Sequence, residues 1–421
     1  MPVTTRFHML RLTGLAGGSN DAFIESKQMA MSSICGLERV VEESFHPEVR
    51  LLRRKYPTFQ VCGYTGLVLA IALAIIVIRH EDLSFWVLAR IIAAAITTFF
   101  VLVMGTKILT GEERIIYYHH EIGVMVVSAL LLWATRQPLL PYLDITILGI
   151  GTFLTFGRIG CLLVGCCHGR PSRWGVRYGD EHAAAGFPSY LVGVRLFPIQ
   201  AVESFWVLCT VAVGTFFVWS GKAPGTALAW YVVTYDLGRF CFEFARGDAD
   251  RSYWLGFSQP QWLSLFLTSG IVWAELAGAL PVVRWHVAVF ILLVAALAAV
   301  SMKRHIQATS EFQLLHPRHI KQVANALRST STSTERSAVW SHGQTTVVSI
   351  ASTSLGIRIS GSEAGSGEER MYHYTISAEK ELTEQAAKLL ARLIRRLKGA
   401  AGPQRLIAGS QGVFHLLVWA R

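Results

Sequence analysis

Residues 59–79 read FQVCGYTGLVLAIALAIIVIR, a stretch of 21 residues whose single charged side chain, Arg79, stands at its end. About 20 predominantly apolar residues in a helix cross the hydrocarbon core of a bilayer. Basic residues, which are common at membrane boundaries, precede the stretch at Arg53, Arg54 and Lys55. The stretch therefore predicts a membrane-spanning helix.

Further apolar stretches of similar length follow along the chain. They cover 84–109, 115–135, 138–156, 199–220, 225–245, 260–281 and the shorter 285–302. Together with 59–79 they predict an all-α polytopic membrane protein with seven or eight transmembrane helices. The long interruption at 157–197 is rich in Gly, Arg and His, so we expect it at the surface or lining a protein cavity.

The composition agrees with a membrane protein. Hydrophobic residues make up 52% of the 421 residues and charged residues only 16%, whereas soluble domains average about 25% charged residues. Residues 59–301 hold 15 Lys and Arg against 14 Asp and Glu, while residues 302–421 hold 16 against 8. A basic flank beside an apolar body favours anionic lipid as a neighbour, and no nucleic-acid-binding motif accompanies it. Seven cysteines are too few for a disulfide scaffold.

The chain divides into four predicted parts. Residues 1–58 form a polar N-terminal extension without a cleavable signal peptide, and 59–302 form the transmembrane domain. Residues 303–344 read as a polar linker with a Ser-Thr tract. Residues 345–421 predict a small soluble α+β module, and nothing in it looks catalytic. Its predicted strands are 345–350, 355–359, 371–376 and 413–420, and its amphipathic helix is 379–398.

Residues 157–171 read GRIGCLLVGCCHGRP, with Arg158 and Arg170 12 residues apart. Glycines let a backbone approach a ligand closely, and a guanidinium binds phosphate through two parallel hydrogen bonds. Beside a span this pattern indicates a lipid-headgroup site, or a basic loop that anchors the span. The three cysteines and His168 leave a metal or redox site open, but their spacing is not that of a zinc site, and packing is the preferred interpretation.

Residues 235–246 read YDLGRFCFEFAR. Four ionisable side chains spaced 3, 4 and 3 residues apart share one helix face: Asp236, Arg239, Glu243 and Arg246. Such groups are costly inside a membrane helix and indicate a functional, water-accessible cavity. An ion pair of Arg239 with Glu243 that ties helices together is the alternative, and both can be true.

Three further motifs are weaker by themselves. Residues 197–203, FPIQAVE, open a span and suit either a site or interfacial capping. Residues 117–123 read YYHHEIG. Their histidines can carry protons near neutral pH, but the two tyrosines and two histidines together also suit an ordinary aromatic belt at the membrane interface. Residues 63–67 read GYTGL.

In order and spacing, these motifs resemble those of the prolipoprotein diacylglyceryl transferases, bacterial membrane enzymes that attach diacylglycerol to the lipobox cysteine of prelipoproteins. The resemblance covers about 59–281 and neither terminal extension. The residues that match are Gly157, Arg158, Ile159, Gly160, Gly165, Gly169, Arg170, Pro198, Gln200, Glu203, Arg239, Glu243, Phe244, Arg246, Gln261, Leu263 and Ser264, with Tyr64 and Leu67 approximating a Tyr-Gly-Leu motif.

The chain departs from the family pattern at four positions. Cys161 stands for an asparagine, Cys166 for an acidic residue and Phe197 for a histidine. A gap-free alignment through Gly123 puts Tyr118, rather than His119, at another histidine position. These changes leave the arginines intact and alter the candidates for proton transfer.

The resemblance implies that phosphatidylglycerol donates its diacylglyceryl group to a cysteine thiol of a prelipoprotein signal peptide, with release of glycerol phosphate. Arg158 and Arg239 would hold the phosphate, with Glu243 orienting Arg239. His119 would help deprotonate the thiol, with His120 or Tyr118 as alternatives. The substrate-binding set would be Gly157, Gly160, Cys161, Gly169, Arg170, Gln200, Glu203, Arg246, Tyr64, Tyr118 and His120.

We expect no metal, no other cofactor and a location in the bacterial plasma (inner) membrane. A related lipid transferase with another acceptor, and a non-catalytic lipid-binding or transport protein of the same fold, are the alternative functions. The resemblance places the 157–197 loop on the outer face, whereas basic residues beside the first and last spans favour an interior location for both ends. With eight spans, both ends and this loop share one face.

Overall fold

A computed structural model describes residues 45–51, 53–111, 117–306, 311–332, 337–341, 344–364, 370–379, 382–410 and 412–420. Most of the predicted polar N-terminal extension, residues 1–44, lies outside the described residues. The described part begins with a short antiparallel hairpin of β1 (Glu48–Leu51) and β2 (Arg54–Pro57), which leads directly into the first long helix.

All eight predicted apolar stretches form helices. The helices of this region are α1 (Thr58–His80), α2 (Phe85–Thr110), α3 (Tyr117–Ala134), α4 (Leu139–Val164), the short α5 (Asp180–Ala184), α6 (Ile199–Trp219), α7 (Thr226–Phe242), α8 (Gln259–Leu276) and α9 (Arg284–Ile306). Glycines in the left-handed region, Gly221 and Gly225, make the turn between α6 and α7.

Five of the described helices, α1, α2, α4, α6 and α9, are long and apolar enough to cross a membrane. α3 is a shorter apolar helix. α7 has only 17 residues and includes Asp236 and Arg239, which lower its apolarity. The chain is therefore a predominantly helical, multi-pass membrane protein, as the sequence predicts.

α4 lies at the centre of the bundle and packs against α1, α6 and α7. Its close approach to α7 depends on Gly151, since a Cβ there would lie 2.4 Å from Tyr231 Cε2. At the start of α4, the Asp144 carboxylate accepts hydrogen bonds of 2.7 Å from the backbone N–H groups of Gly225 and Leu228, which begin α7. At 1.5 Å per helical residue, Asp144 lies roughly 21 Å along α4 from Arg158. These two hydrogen bonds therefore join α4 to α7 at the end of the bundle opposite Arg158.

Two polar loops meet at the end of the bundle where α4 and α7 end. The first contains β3 (Pro171–Val176) and α5, and the second a hairpin of β4 (Tyr253–Trp254) and β5 (Phe257–Ser258). The Arg170 backbone N–H donates to the Ala245 carbonyl at 3.1 Å, which joins the two loops.

The C-terminal module follows α9. Its elements are α10 (Glu311–Leu314), α11 (Pro317–Thr332), β6 (Ser337–Ser341), β7 (Gln344–Val348), β8 (Ile350–Ser352), β9 (Ile357–Ala364), β10 (Met371–Ala378), α12 (Glu384–Leu397), β11 (Gln404–Ala408) and β12 (Phe414–Trp419). Five strands form an antiparallel sheet in the order β11-β12-β10-β9-β8. Cross-strand partners such as Tyr374 and Leu416 place their side chains in the core.

The predicted linker contains structure that the sequence analysis did not assign. α11 lies within 303–344 and buries Ile320, Val323 and Leu327 in the same core as α12. These apolar residues recur every three or four positions, so one side of the helix faces the sheet. The folded module thus begins before residue 345.

The module contacts both polar loops. Arg396 donates to the Pro171 carbonyl at 3.2 Å, and Arg328 donates to Ser189 Oγ at 3.3 Å. The module therefore lies at the same end of the bundle as the 157–197 loop.

Candidate active site

Three arginines from separate segments converge on one carboxylate. Glu203 on α6 is fully buried, and its Oε2 atom lies 3.1 Å from Arg158 Nε on α4. The same oxygen lies 3.8 Å from Arg239 Nη1 on α7 and 3.9 Å from Arg246 Nη1 just beyond α7. All three guanidinium groups are buried. We call Arg158, Arg239, Arg246 and Glu203 the arginine cluster.

Glu243 is the second carboxylate of the site. Its Oε1 lies 2.7 Å from Arg239 Nη2, one helical turn earlier. Its Oε2 accepts a hydrogen bond from Ser258 Oγ at 2.7 Å and pairs with Arg251. Both oxygens are thus occupied, and the carboxylate fixes Arg239 on the side away from Glu203.

Arg246 is held by a forked pair with Asp248. Its Nε and Nη2 atoms lie 2.8 and 2.7 Å from Asp248 Oδ2. Its backbone carbonyl accepts from Arg170 Nε at 3.1 Å. Burial lowers the pKa of the Arg170 guanidinium, which nevertheless stays protonated at neutral pH because arginine ionises so far above it.

Gly169 and Gly247 allow the two loops to come this close. A Cβ at Gly169 would lie 2.3 Å from the Phe197 carbonyl oxygen, and a Cβ at Gly247 would lie 2.3 Å from the Gly169 oxygen. Only glycine fits such backbone contacts. Gly160, by contrast, lies where α4 crosses α1. A Cβ at Gly160 would lie 3.1 Å from Cys62 Cβ.

The cluster leaves guanidinium groups incompletely satisfied. Among the described residues, Arg158 Nε, Arg239 Nε and Nη1 and Arg246 Nη1 have no hydrogen-bond partner. Glu203 Oε2 has none either, although it lies within 3.9 Å of one nitrogen of each arginine. Buried N–H groups are nearly always paired in folded proteins. Counting Arg251 with these arginines, four cations face Glu203, Glu243 and Asp248, so the site carries an excess positive charge. A phosphate group offers the acceptors and the negative charge that these atoms lack.

The residues of the YYHHEIG motif enter three different environments. The Tyr118 hydroxyl is buried and lies 3.2 Å from Asp236 Oδ1 and 3.0 Å from Ser264 Oγ. His120 packs edge-on against Phe99. His119 is exposed, with its Nε2 3.4 Å from Gln259 Nε2. Because Gln259 adjoins Ser258, His119 lies at the edge of the site near Glu243.

Other predicted residues occupy supporting or peripheral positions. Gln200 donates to the Cys166 carbonyl at 2.9 Å and so links α6 to the loop after α4. Tyr64 is 68% exposed on α1. A Cβ at Gly157 would meet no atom within 4 Å, so close packing does not require glycine at this position.

The structure brings three cysteines together. The sulfur atoms of Cys161, Cys166 and Cys167 lie within 4.8 Å of one another. Cys167 adopts the left-handed conformation, with φ 56°, which few non-glycine residues do. Structural zinc sites use four ligands, and in the described part of the chain this group contains only these three. The set does not fit a structural zinc site.

Sequence reasoning missed several residues of the site. Tyr235 donates from its hydroxyl to Glu203 Oε1 at 3.2 Å, yet it reads as one more aromatic residue of an apolar stretch. Asp248, Arg251 and Ser258 lie in a polar loop without periodicity. Asp236 was grouped with Arg239 by helical spacing, but it pairs instead with Tyr118 and Thr268.

The fold and site define a class: a multi-pass helical membrane protein with a buried, phosphate-compatible arginine cluster at one end of its bundle. Residues 116–276 match the family model described as prolipoprotein diacylglyceryl transferase. Through this segment, which is less than half of the chain, the protein is similar to that family.

Curated relatives agree with the match. The phosphatidylglycerol–prolipoprotein diacylglyceryl transferase 2 of Clostridium perfringens is 34% identical over 161 residues, which are 37% of this chain and 59% of the relative. Enzymes named phosphatidylglycerol–prolipoprotein diacylglyceryl transferase from Clostridium tetani and Dehalococcoides mccartyi are 34% and 31% identical over 132 and 166 residues. These cover 30% and 38% of this chain. The chain thus spans only 49% to 59% of the lengths of these relatives.

Proposed function

We propose that this protein transfers the diacylglyceryl group of phosphatidylglycerol to the lipobox cysteine thiol of a prelipoprotein, and that glycerol phosphate leaves. The observation that carries the proposal is the convergence of Arg158, Arg239 and Arg246 on Glu203, with guanidinium N–H groups left for an incoming phosphate. The family match and the names of the relatives support the same activity.

In the proposed reaction, the cysteine thiolate attacks the carbon of the diacylglyceryl group that bears the phosphate, and not the glycerol of the headgroup. A carbon–sulfur bond forms, and the carbon–oxygen bond breaks with its electron pair going to the phosphate. The leaving glycerol phosphate carries more negative charge than the diester. Arg158 and Arg239 stabilise this charge, and fixed cations in a water-poor site do so without reorganising.

The two carboxylates orient these cations. Glu203 fixes Arg158, and Glu243 fixes Arg239 through a 2.7 Å contact. The pairs hold the guanidinium planes in place before substrate arrives, which is how preorganised sites lower a barrier. We propose Arg158 and Arg239 of the arginine cluster, together with Glu243, as catalytic residues of the site.

The proton of the thiol goes to His119 in this proposal, since the thiolate is the reactive form. His119 is exposed beside Gln259 at the edge of the site, where an acceptor peptide would approach. Tyr118 and His120 are buried and remain the alternatives.

The proposed substrate-binding groups include two members of the arginine cluster and residues around it. Gly169 and Arg170 shape the headgroup pocket by holding the two loops together. The other proposed members of this set are Gly157, Gly160, Cys161, Gln200, Glu203, Arg246, Tyr64, Tyr118 and His120. No metal or cofactor takes part in the proposed reaction.

We propose eight membrane crossings in the bacterial plasma membrane, with the 157–197 loop and the C-terminal module on one face. The contact of Arg396 with Pro171 supports this arrangement. A reporter fused after residue 421 and a cysteine label introduced in the 157–197 loop should report the same side of the membrane. Opposite sides would contradict the proposed crossings.

A second function has one observation in its favour. Cys161 and Cys166 stand where the family signature has an asparagine and an acidic residue, so the acceptor of the lipid group can differ. Transfer to an acceptor other than a lipobox cysteine is the alternative.

Purified protein in phosphatidylglycerol vesicles, incubated with a lipobox signal peptide, tests the proposal. We expect the peptide to gain the mass of one diacylglyceryl group, and one glycerol phosphate to appear for each. A peptide with serine at the lipobox cysteine, and vesicles of phosphatidylcholine, are the matched controls. Lipid binding without product would favour a lipid-binding protein, and transfer to the serine peptide would favour another acceptor.

A further inference from the structure

The C-terminal part of the chain clamps the backbone of the loop between α7 and α8. Arg318, at the start of α11, donates from Nη2 to the Arg251 carbonyl at 2.9 Å and from Nε to the Ala249 carbonyl at 3.3 Å. Lys321, one turn later, lies 3.6 Å from Asp250. These contacts hold three consecutive residues of the loop.

A second contact fixes the far side of the same loop. Arg304, near the end of α9, donates to the Gly256 carbonyl at 2.5 Å. Its guanidinium also lies over the rings of Phe257 and Phe312, at 4.5 and 3.8 Å from the ring centres. The loop from 249 to 256 is therefore held at both ends.

The side chain of Arg251 points from this clamped loop into the site. It is only 16% exposed and pairs with Glu243 Oε2, the oxygen that also accepts from Ser258. Glu243 in turn lies 2.7 Å from Arg239 through its other oxygen. A continuous set of contacts thus runs from Arg318, through the loop backbone and Arg251, to Glu243 and Arg239.

We propose that Arg251 is a positioning residue for the transfer reaction and that the C-terminal module, through Arg318, holds Arg251 in place. This inference rests on the proposed function. Arg251 fixes the rotation of the Glu243 carboxylate, which sets the plane of the Arg239 guanidinium. The module is then part of the site and not only a soluble appendage.

The arrangement makes physical sense because Arg251 lies on a loop. A loop residue samples many backbone conformations unless its carbonyl groups are bound. A small displacement of a group that orients a reacting site costs much of the rate. The Arg318 fork removes this freedom, since its planar guanidinium binds two carbonyls in one geometry.

A double-mutant cycle tests the proposal on the full chain. Arg318→Ala and Arg251→Ala, singly and together, are assayed for transfer and for binding of phosphatidylglycerol in detergent micelles. We expect each single change to lower kcat about tenfold or more, with the KM for the acceptor peptide unchanged. In the Arg251→Ala background, Arg318→Ala should add less than a twofold loss.

Arg328→Ala is the matched control. Arg328 lies on the same helix but contacts Ser189 in the other loop, so its loss should leave kcat unchanged. Arg318→Gln, which retains one donor group, should give an intermediate effect and provides a milder variant if Arg318→Ala folds poorly. Hydrogen exchange of residues 249–256 should speed up in Arg318→Ala and not in Arg328→Ala.

The outcomes separate this inference from the proposed function. An active protein in which the two changes act independently, or in which Arg318→Ala has no effect, overturns the inference and keeps the function. If the wild-type protein transfers nothing, but the two substitutions lower the affinity for phosphatidylglycerol in the same non-additive way, the proposed function is overturned and the positioning role is kept.

Discussion

Arg158 Nε lies 3.1 Å from Glu203 Oε2, and this contact joins the end of α4 to the start of α6 in the interior of the protein. Arg239 and Arg246 approach the same oxygen. One carboxylate therefore balances several cations, and none of them is fully neutralised by it. Such an arrangement holds arginines together while leaving them attractive to a second anion, which is what a phosphate site requires.

Glu203→Gln should destabilise the protein strongly. Removing one partner of a buried ion pair typically costs about 3–5 kcal/mol, because the remaining charge is uncompensated. We expect a lower Tm in detergent and partial recovery when inorganic phosphate is added, since phosphate supplies the missing charge. Glu275→Gln is a suitable control, because Glu275 is buried against His286 and lies at the opposite end of α8 from the loops. Its Tm should fall without recovery in phosphate.

Arg158→Lys tests the need for a planar fork. Lysine keeps the positive charge but cannot bind two oxygens in one plane. Loss of a single oxyanion donor costs about a hundredfold in kcat in enzymes where it has been removed, and we expect an effect approaching that. Transfer is measured in membranes with protein amounts matched by immunoblot. Near-normal turnover would remove Arg158 from the phosphate site.

Arg239→Ala and Glu243→Gln distinguish a catalytic pair from a structural one. If Glu243 orients Arg239, Glu243→Gln retains a hydrogen bond and lowers activity modestly, whereas Arg239→Ala abolishes transfer without preventing membrane insertion. If the pair only joins parts of the fold, both changes lower the yield, and the folded fraction keeps normal activity. The measurement is activity per folded molecule, and a well-folded, active Arg239→Ala protein would contradict the catalytic assignment.

Replacing Cys161, Cys166 and Cys167 together by alanine should leave substantial transfer. Their sulfurs form a compact group, but three thiols do not complete a tetrahedral zinc site. Elemental analysis of the purified wild-type protein should find no stoichiometric metal. Zinc or iron that is present in the wild type and lost in the triple variant would overturn the interpretation of these cysteines as packing residues.

The parts that could be predicted from the sequence are those with a local physical signature. Apolar stretches such as 59–79 locate helices because length and hydropathy alone decide whether a helix suits a bilayer. Arg158 and Glu243 can be recognised in the sequence because charged residues in or beside apolar helices are energetically costly and indicate a functional site. Arg251 carries no such signature, because its role depends on how a loop folds back and what clamps it. α11 was hidden by its polar composition, since only a few buried positions distinguish it from a linker.

The contact between the C-terminal module and the loop should weaken in acid through His316. Burial, followed by the nearby positive charges of Arg170, Arg318 and Arg304, lowers the pKa of His316 to about 4. In the unfolded or undocked chain, a histidine has a pKa of about 6.5. The undocked state therefore binds more protons between these values, and docking is strongest above pH 6.5 and is lost as the pH falls towards 4.

The measurement is hydrogen exchange of residues 249–256 at pH 7 and pH 5, corrected for the intrinsic effect of pH on exchange. We expect faster corrected exchange at pH 5, because the imidazolium would lie beside arginines and its Nδ1, once protonated, could no longer accept from the Arg318 backbone N–H at 3.3 Å. His316→Gln stays neutral at both values and should remove most of the difference. His319, whose pKa burial also lowers, remains in that variant and accounts for any residual dependence on pH. An unchanged pH response in His316→Gln would show that another group controls the contact.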